Sequence, residues 1–415
     1  MSRLDKRVAF GQVLGSRKDE ECTPDIVMVG GFGNTGIIFT EEGVVVVDTA
    51  PMSIARVVEV IRARTDKPIH TIIYTHGQGD HAWAAAPLLE DAVKRGHPRP
   101  RVIAQEALLA RFARYKELAR QNRFINNIQG GRTYVRPQPG DKFMPDNVVY
   151  PDITYRDAMQ FRLGGLTFEL YHYMGETDDG TWVWIPERKT AITGDLNVGC
   201  PNIGNPFKVQ RYEVEWAEAL EQVAEKNPDY LIPGHGVVLR GQGIQEACLV
   251  TAKYLRYLHN EVVKLLNEGC WIEEILERVS IPDELAKHPY LPPIYGCPTY
   301  IIHGIHRRYA GWFNGNPGEL FPAKRRDIAA EVVKLSNADS ILKRAKELQK
   351  QGNVQLALHL ADFVVYGSAD AVARKEAFQL KAALLDEKAD KEYNTIAKNI
   401  FLVGAQKAED EAQEQ

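Results

Sequence analysis

YTHGQGDHAWA, residues 74–84, follows the apolar run IHTII at 69–73. Within six positions it places His76, Asp80 and His81 in the order HxxxDH. A buried strand ending in such a loop holds its donors rigidly over a cleft. Imidazole and carboxylate are the ligand types that zinc, manganese and iron accept. Gln78 stands where a third imidazole would complete HxHxDH. By itself the pattern is weak, because a loop histidine beside an aspartate is usually structural or exposed.

Three further stretches finish an apolar run in the same way: MGETDD (174–179) with Glu176, ITGD (192–195) with Asp195, and IPGHG (232–236) with His235. Four such strand ends in this order are far more specific than any one of them. Nearby, His172 reads as a cleft-wall strand histidine or a spare ligand. Asp178 and Asp179 either orient ligands or cap the turn. Asp48, at the end of VVVVD, is expected to hydrogen-bond the backbone of the metal loop.

The surrounding periodicity gives the scaffold. DIVMVGGF (25–32), TGIIFT (35–40), VVVVDTA (44–50), RVIAQ (101–105), LTFELYHY (166–173), TWVWIPE (181–187), KTAITGD (189–195) and DYLIPGHG (229–236) read as strands. Helical spacing appears in SIARVVEVIRART (53–65), AWAAAPLLEDAVKRG (82–96), EALLARFARYKELARQ (106–121) and EWAEALEQVAEK (215–226). This alternation predicts an α/β fold, an αββα sandwich over residues 1–245. Residues 126–160, rich in Gly, Pro and Asp, read as a long binding loop.

From 246 to 415 every periodic segment is helical, and the region is expected to be all-α. NVQLALHLADFVVYG (353–367) and ADAVARKEAFQLKAALLDEKAD (369–390) loosely resemble a tetratricopeptide-like pair without a strict repeat. The terminal EDEAQEQ (409–415) reads as a frayed, solvated end.

A formal net charge of −4 gives no electrostatic reason to propose nucleic acid or an anionic membrane as partner. Five cysteines, odd in number and nowhere spaced as CxxC, argue against a disulfide framework or a cysteine-built zinc site. With no signal-like N-terminus and no membrane-length apolar run, the expectation is a soluble cytoplasmic protein.

The four ligand stretches together resemble the metallo-β-lactamase superfamily. GNTGIIFTEEGVVVVDTAP (33–51) matches its opening hairpin. YAGWFNGNPGELFP (309–322), LADFVVYGSADAVARKEAFQLKAALLDE (360–387) and NIFLVGAQ (399–406) are similar to the helical dimerisation domain of its alkylsulfatase branch. The resemblance covers 26–407 and implies a metallo-β-lactamase sandwich followed by that domain, without the sterol-carrier-like C-terminal domain of long members.

It implies one metal held by His76, Glu176 and Asp195 with Gln78, and a second by Asp80, His81 and His235 with Asp195 bridging. The glutamate position could shift to Thr177 or Asp178. An amide oxygen is a poorer zinc donor than imidazole. The second site is therefore expected to hold Zn2+, and the first to be weaker or to take Mn2+, Fe2+ or calcium.

The implied reaction is hydrolysis of an alkyl or aryl sulfate ester, sulfur or carbon being attacked by metal-bound hydroxide. Asp80 and Asp195 would orient it. Asn205, Lys208 and Arg211, in GNPFKVQRYEVEW (204–216), would bind the anionic substrate. Phe124, Tyr134, Phe143, Tyr150, Trp312 and Phe313 offer an aromatic roof or ordinary core. The alternatives are hydrolysis of another ester, a lactone or an activated aryl ether, and an inactive scaffold or partner subunit in which Gln78 is the lesion. A small-molecule substrate and a homodimer, or pairing with a related subunit, complete the expectation.

Overall fold

The four consecutive valines of VVVV do not share one environment. In the computed structural model, which describes residues 3–6, 15–16, 18–197 and 199–415, all four are buried, but on alternate faces. Val45 and Val47 join one apolar core, and Val44 and Val46 another. A strand covered on both faces needs such a run, and each buried valine contributes about 1.5–3 kcal/mol.

This strand, β4 (Val44–Val47), is central to a seven-stranded sheet. The others are β1 (Glu20–Thr23), β2 (Ile26–Val29), β3 (Thr35–Phe39), β5 (Ile69–Ile73), β6 (Arg101–Gln105) and β7 (Ile153–Tyr155), adjacent in chain order. Pairing is antiparallel from β1 to β4 and parallel from β4 to β7. A second sheet of six strands contains β8 (Ala158–Leu163), β9 (Leu166–Tyr173), β10 (Gly180–Ile185), β11 (Thr190–Gly194), β12 (Tyr230–Pro233) and β13 (Leu239–Arg240). Here only β11 and β12 run parallel.

Between the sheets lie Ile38, Val45, Val47 and Ile73 of the first against Phe168, Leu170, Val183 and Ile192 of the second. Helices Ile54–Arg64, Ala86–Arg95 and Ala107–Glu117 cover the outer face of the first sheet. Helices Glu213–Glu225, Gln242–Asn267 and Pro298–Tyr309 cover the second. The layers are the expected αββα.

The compact units do not divide at 245/246. The larger gathers the described residues of 10–122 with Gln138–Gly311; the smaller gathers those of 1–9 with Arg123–Pro137 and Trp312–Gln415. The reason is burial. Tyr254, Leu255, Leu258, Ile301 and Ile305 complete one core with Trp182, Trp184, Trp216 and Leu220 of the sandwich. Helical periodicity marks these segments as helices but cannot say which layer they cover.

In the smaller unit, helices Ala338–Lys350, Val354–Gly367 and Ala371–Lys391 share a core containing Ile341, Leu342, Ala361, Val364 and Leu384. The expected frayed end is instead helical, since Thr395–Glu414 is one helix with Ala405, Ala408 and Ala412 buried. Arg3 anchors this region, pairing with Asp386 at 2.7 Å and also with Glu409. Small buried alanines hidden among acidic residues are what the tail's composition concealed.

EALLARFARYKELARQ breaks at Leu118 into Ala107–Glu117 and Ala119–Gln129, so helix enters the expected loop. The proposed roof aromatics are distributed as separate ring pairs, partly buried or exposed. Phe143 packs on Trp83 and Tyr115, and Tyr150 on Phe112, whereas Phe124 pairs with Tyr134 in the smaller unit. Trp312 is exposed. No helix among the described residues is long and apolar enough to cross a membrane.

Candidate metal centre

Parallel pairing brings the C-terminal ends of β4, β5 and β6 to one edge of the first sheet, and those of β11 and β12 to one edge of the second. A main-chain bond ties the two edges together, Thr181 N donating to Thr75 O at 2.7 Å, and within the second edge Gly234 N donates to Gly194 O at 2.7 Å. Asn34 locks the His235 loop: its N donates to Gly234 O at 2.8 Å and its Nδ2 to Pro233 O at 2.9 Å. In the sequence, only its place in the opening hairpin motif marks Asn34.

At this edge His76, His81, His235, Asp80 and Asp195 converge. His76 Nε2 lies 3.6 Å from Asp195 Oδ2, and His81 Nε2 lies 3.2 Å from Asp195 Oδ1. His235 Nε2 is 3.3 Å from Asp195 Oδ1, 3.4 Å from Asp80 Oδ2 and 3.4 Å from His81 Nε2. Two groups offer three donors each within 4.8 Å of one another: His76, His81 and Asp195, and Asp80, His81 and His235. His81 belongs to both.

The donors fit a divalent cation. His76 Nε2 and Asp195 Oδ1 are buried without a hydrogen-bond partner, a costly arrangement that a bound cation would relieve. The backbone also leaves room for the carboxylate: a Cβ added to Gly234 would stand 2.3 Å from Asp195 Oδ1 and 2.9 Å from His81 Cε1.

Electrostatics points the same way. Burial, then the neighbouring His81, push His76 down to about 3, so its Nε2 keeps a lone pair. For Asp195 burial favours the neutral acid, but His235, His81 and His76 outweigh it and hold the carboxyl well below its usual range. Burial likewise opposes charge on His81, yet Asp195, Asp80 and Asp48 raise it well above the usual imidazole value. A cation supplies the positive charge these carboxylates otherwise draw from protons.

The outer contacts orient the ligand side chains. His81 Nδ1 meets Asp48 Oδ2 at 2.8 Å, and Asp48 also accepts from Thr75 N and Thr75 Oγ1 at 2.7 Å each. Asp48 thus bonds the loop backbone as expected and orients an imidazole as well. It sits at φ 67°, a left-handed conformation that costs a non-glycine residue energy. His235 Nδ1 meets the carbonyl of Phe32.

Asp179 takes the orienting alternative. Its carboxylate accepts from Gly77 N and from Arg111 Nε at 2.8 Å each. Arg111 is buried and also pairs with Asp178. It, too, was missed, although Leu108, Arg111, Phe112 and Tyr115 share the inner face of one helix and an arginine there is unusual. His172 Nε2 meets Asp178 O at 3.0 Å, so it serves the turn rather than the ligand cluster. Asp179→Asn is expected to face Gly77 N–H and Arg111 with a poorer acceptor and to weaken metal affinity about 10–100-fold, read by competition with a chromogenic chelator.

Glu176 stands outside the donor groups, and the main chain of Gln78 shapes the metal loop. Gln78 precedes the short helix Gly79–Ala82, and its carbonyl accepts from His81 N at 3.1 Å and Ala82 N at 3.0 Å. That turn projects Asp80 and His81 inward. Glu176 belongs to neither donor group; its Oε1 is 2.6 Å from Arg211 Nη1, with both side chains buried. A buried carboxylate needs a countercharge, and the guanidinium supplies it.

The expected anion-binding residues are divided similarly. Arg211 is engaged by Glu176 and donates to Asn202 O at 2.6 Å. Asn205 is buried, and its Oδ1 accepts from Phe207 N at 2.9 Å, shaping its own turn. Lys208 remains half-buried at the site, where desolvation and then the Arg211 charge push its ammonium down to about 8 against the pull of Glu176 and Asp80.

Comparison with known proteins accords with this geometry. Residues 28–235 match the metallo-β-lactamase superfamily, and 271–411 match the alkyl sulfatase dimerisation family. A linear primary-alkylsulfatase of Pseudomonas sp. is 27% identical over 354 residues, covering 79% of this chain and 66% of that protein. An (R)-specific secondary-alkylsulfatase of Pseudomonas sp. is 24% identical over 93% of this chain and 61% of its own length. The chain thus spans somewhat less than two thirds of these relatives. The solved structure of a stereoselective inverting sec-alkylsulfatase from Pseudomonas sp. shares the fold with a TM-score of 0.80, at 24% identity, covering 94% of this chain and 65% of that one. A sandwich carrying this ligand edge, with a helical region of the alkylsulfatase dimerisation type, makes the chain a member of the metallo-β-lactamase superfamily, homologous to alkylsulfatases.

Proposed function

We propose that the protein is a metal-dependent hydrolase that cleaves an organic sulfate ester to an alcohol and sulfate. The observation that carries this reading is the convergence of three imidazoles and two carboxylates on one buried edge, in a chain homologous to alkylsulfatases. His76, His81, His235, Asp80 and Asp195 would hold the cation, Zn2+ being favoured by the imidazole share of the donors. Such a metal lowers the pKa of its water toward neutrality and polarises the ester.

The chain's own groups divide the remaining work by exposure. The Asp80 side chain is 19% exposed and that of Asp195 only 5%. Asp80 is therefore the carboxylate that meets solvent, orients the attacking water and accepts its proton, while Asp195 stays internal and fixes the imidazoles. Lys208, within electrostatic reach of Asp80 and Glu176, would supply positive charge for the anionic sulfate. The Gln78 carbonyl holds the turn that carries Asp80 and His81, a main-chain role that is compatible with an amide side chain at this position.

We further propose a homodimer, on the match of 271–411 to the dimerisation family. The free cysteines Cys22, Cys200, Cys248, Cys270 and Cys297 suit a reducing, cytoplasmic location.

Elemental analysis of the purified protein, paired with hydrolysis of sulfate, phosphate and carboxylate esters and lactones, tests the reading. Metal-free protein, or turnover restricted to uncharged substrates, would overturn it. Lys208→Ala is expected to raise KM for a sulfate ester about tenfold or more while leaving that for a neutral lactone unchanged.

A further inference from the structure

The smaller unit carries a half-open cavity of about 430 Å3 between helices Val354–Gly367, Ala371–Lys391 and Thr395–Glu414. None of its lining residues is a candidate ligand of the metal centre. Val365, Phe378, Leu385 and Ala408 form apolar walls, and Tyr366, 41% exposed, marks the mouth. Gly404 helps to open the space. Glycine is a poor residue for the middle of a helix, and a Cβ there would come within 3.4 Å of Leu385 Cδ1.

Charge in the lining is mostly positive: Arg374, Lys381 and Lys407 against Glu411. Lys381 is engaged by Asp362 at 2.5 Å. Arg374 Nε is buried with no hydrogen-bond partner. Lys407 lies over the ring of Tyr134 at 4.2 Å, a contact that leaves its ammonium protons for an acceptor. A chamber with apolar walls and a buried, unpartnered guanidinium Nε is complementary to a ligand with one greasy end and one anionic end.

We propose that this cavity binds a single-chain aliphatic anion, its tail against Val365, Phe378 and Leu385 and its carboxylate, sulfonate or sulfate head on Arg374 and Lys407. A neutral amphiphile leaves Arg374 unsatisfied, a cationic one is repelled, and a polyanion without a tail leaves the walls bare. The inference stands apart from the hydrolase reading, and failure of either leaves the other intact.

Calorimetry on the full-length, chelator-treated protein tests it, using decyl sulfonate below its micelle threshold beside decanol and decyltrimethylammonium. Decyl sulfonate is expected to bind saturably and about tenfold or more tighter than decanol. Arg374→Gln with Lys407→Gln should erase that preference, and Gly404→Leu should abolish binding of both. Absence of saturable binding, equal affinity for decanol, or affinity unchanged by the double glutamine variant would overturn the proposal. The glutamine variant keeps the test decisive should Gly404→Leu fail to fold.

Discussion

His81→Ala is expected to reduce bound metal to well under one ion per chain and hydrolysis by more than about 100-fold. Loss of an outer partner of a metal ligand typically costs about 10–100-fold, and His81 is more than an outer partner. Its Nε2 is common to both donor groups, 3.2 Å from Asp195 and 3.4 Å from His235. One substitution therefore removes an imidazole from each. Elemental analysis and initial rates measure the effect, and circular dichroism of the metal-free variant against metal-free wild type separates it from unfolding. Full metal content in a folded His81→Ala protein would show that the convergence is structural and not a metal centre.

The second large effect concerns stability. Arg211→Ala is expected to destabilise the larger unit by about 3–5 kcal/mol, lowering Tm on the order of 10 °C. Arg211 and Glu176 face each other at 2.6 Å with both side chains buried, so the substitution strands a carboxylate away from water. Replacing both by apolar residues of similar size, Arg211→Met with Glu176→Leu, should recover most of the loss, because the desolvation cost disappears with the charges. Thermal melts of the two single variants and the double variant form the cycle. If Arg211→Ala melts like wild type but loses sulfate-ester binding, Arg211 is the substrate clamp that its sequence position suggested, and the pairing with Glu176 is incidental.

These two residues show where sequence reading stopped. Ligand type and strand-end placement were legible: His76, Asp80, His81, Asp195 and His235 each follow an apolar run, and the structure brings all five together. Glu176 carries the same local signature, yet its carboxylate meets a guanidinium thirty-five positions onward. Nothing local separates a buried carboxylate awaiting a metal from one awaiting an arginine. Arg111 illustrates the converse, since its place on an apolar helix face was visible but its partner, Asp179, was not.

The sequence by itself determined the alternation that builds two sheets, the loops that end in imidazoles and carboxylates, and the helical character of everything after the sandwich. Those features are short-range, set by side-chain period and turn chemistry. Tertiary structure alone decided that helices Gln242–Asn267 and Pro298–Tyr309 complete the sandwich core and that the acidic tail is helix. It also decided that Glu176 belongs to Arg211 and that His81 serves both donor groups. The physical reason is that burial and countercharge are properties of neighbours in space, and residues distant in the chain become neighbours only when the layers close.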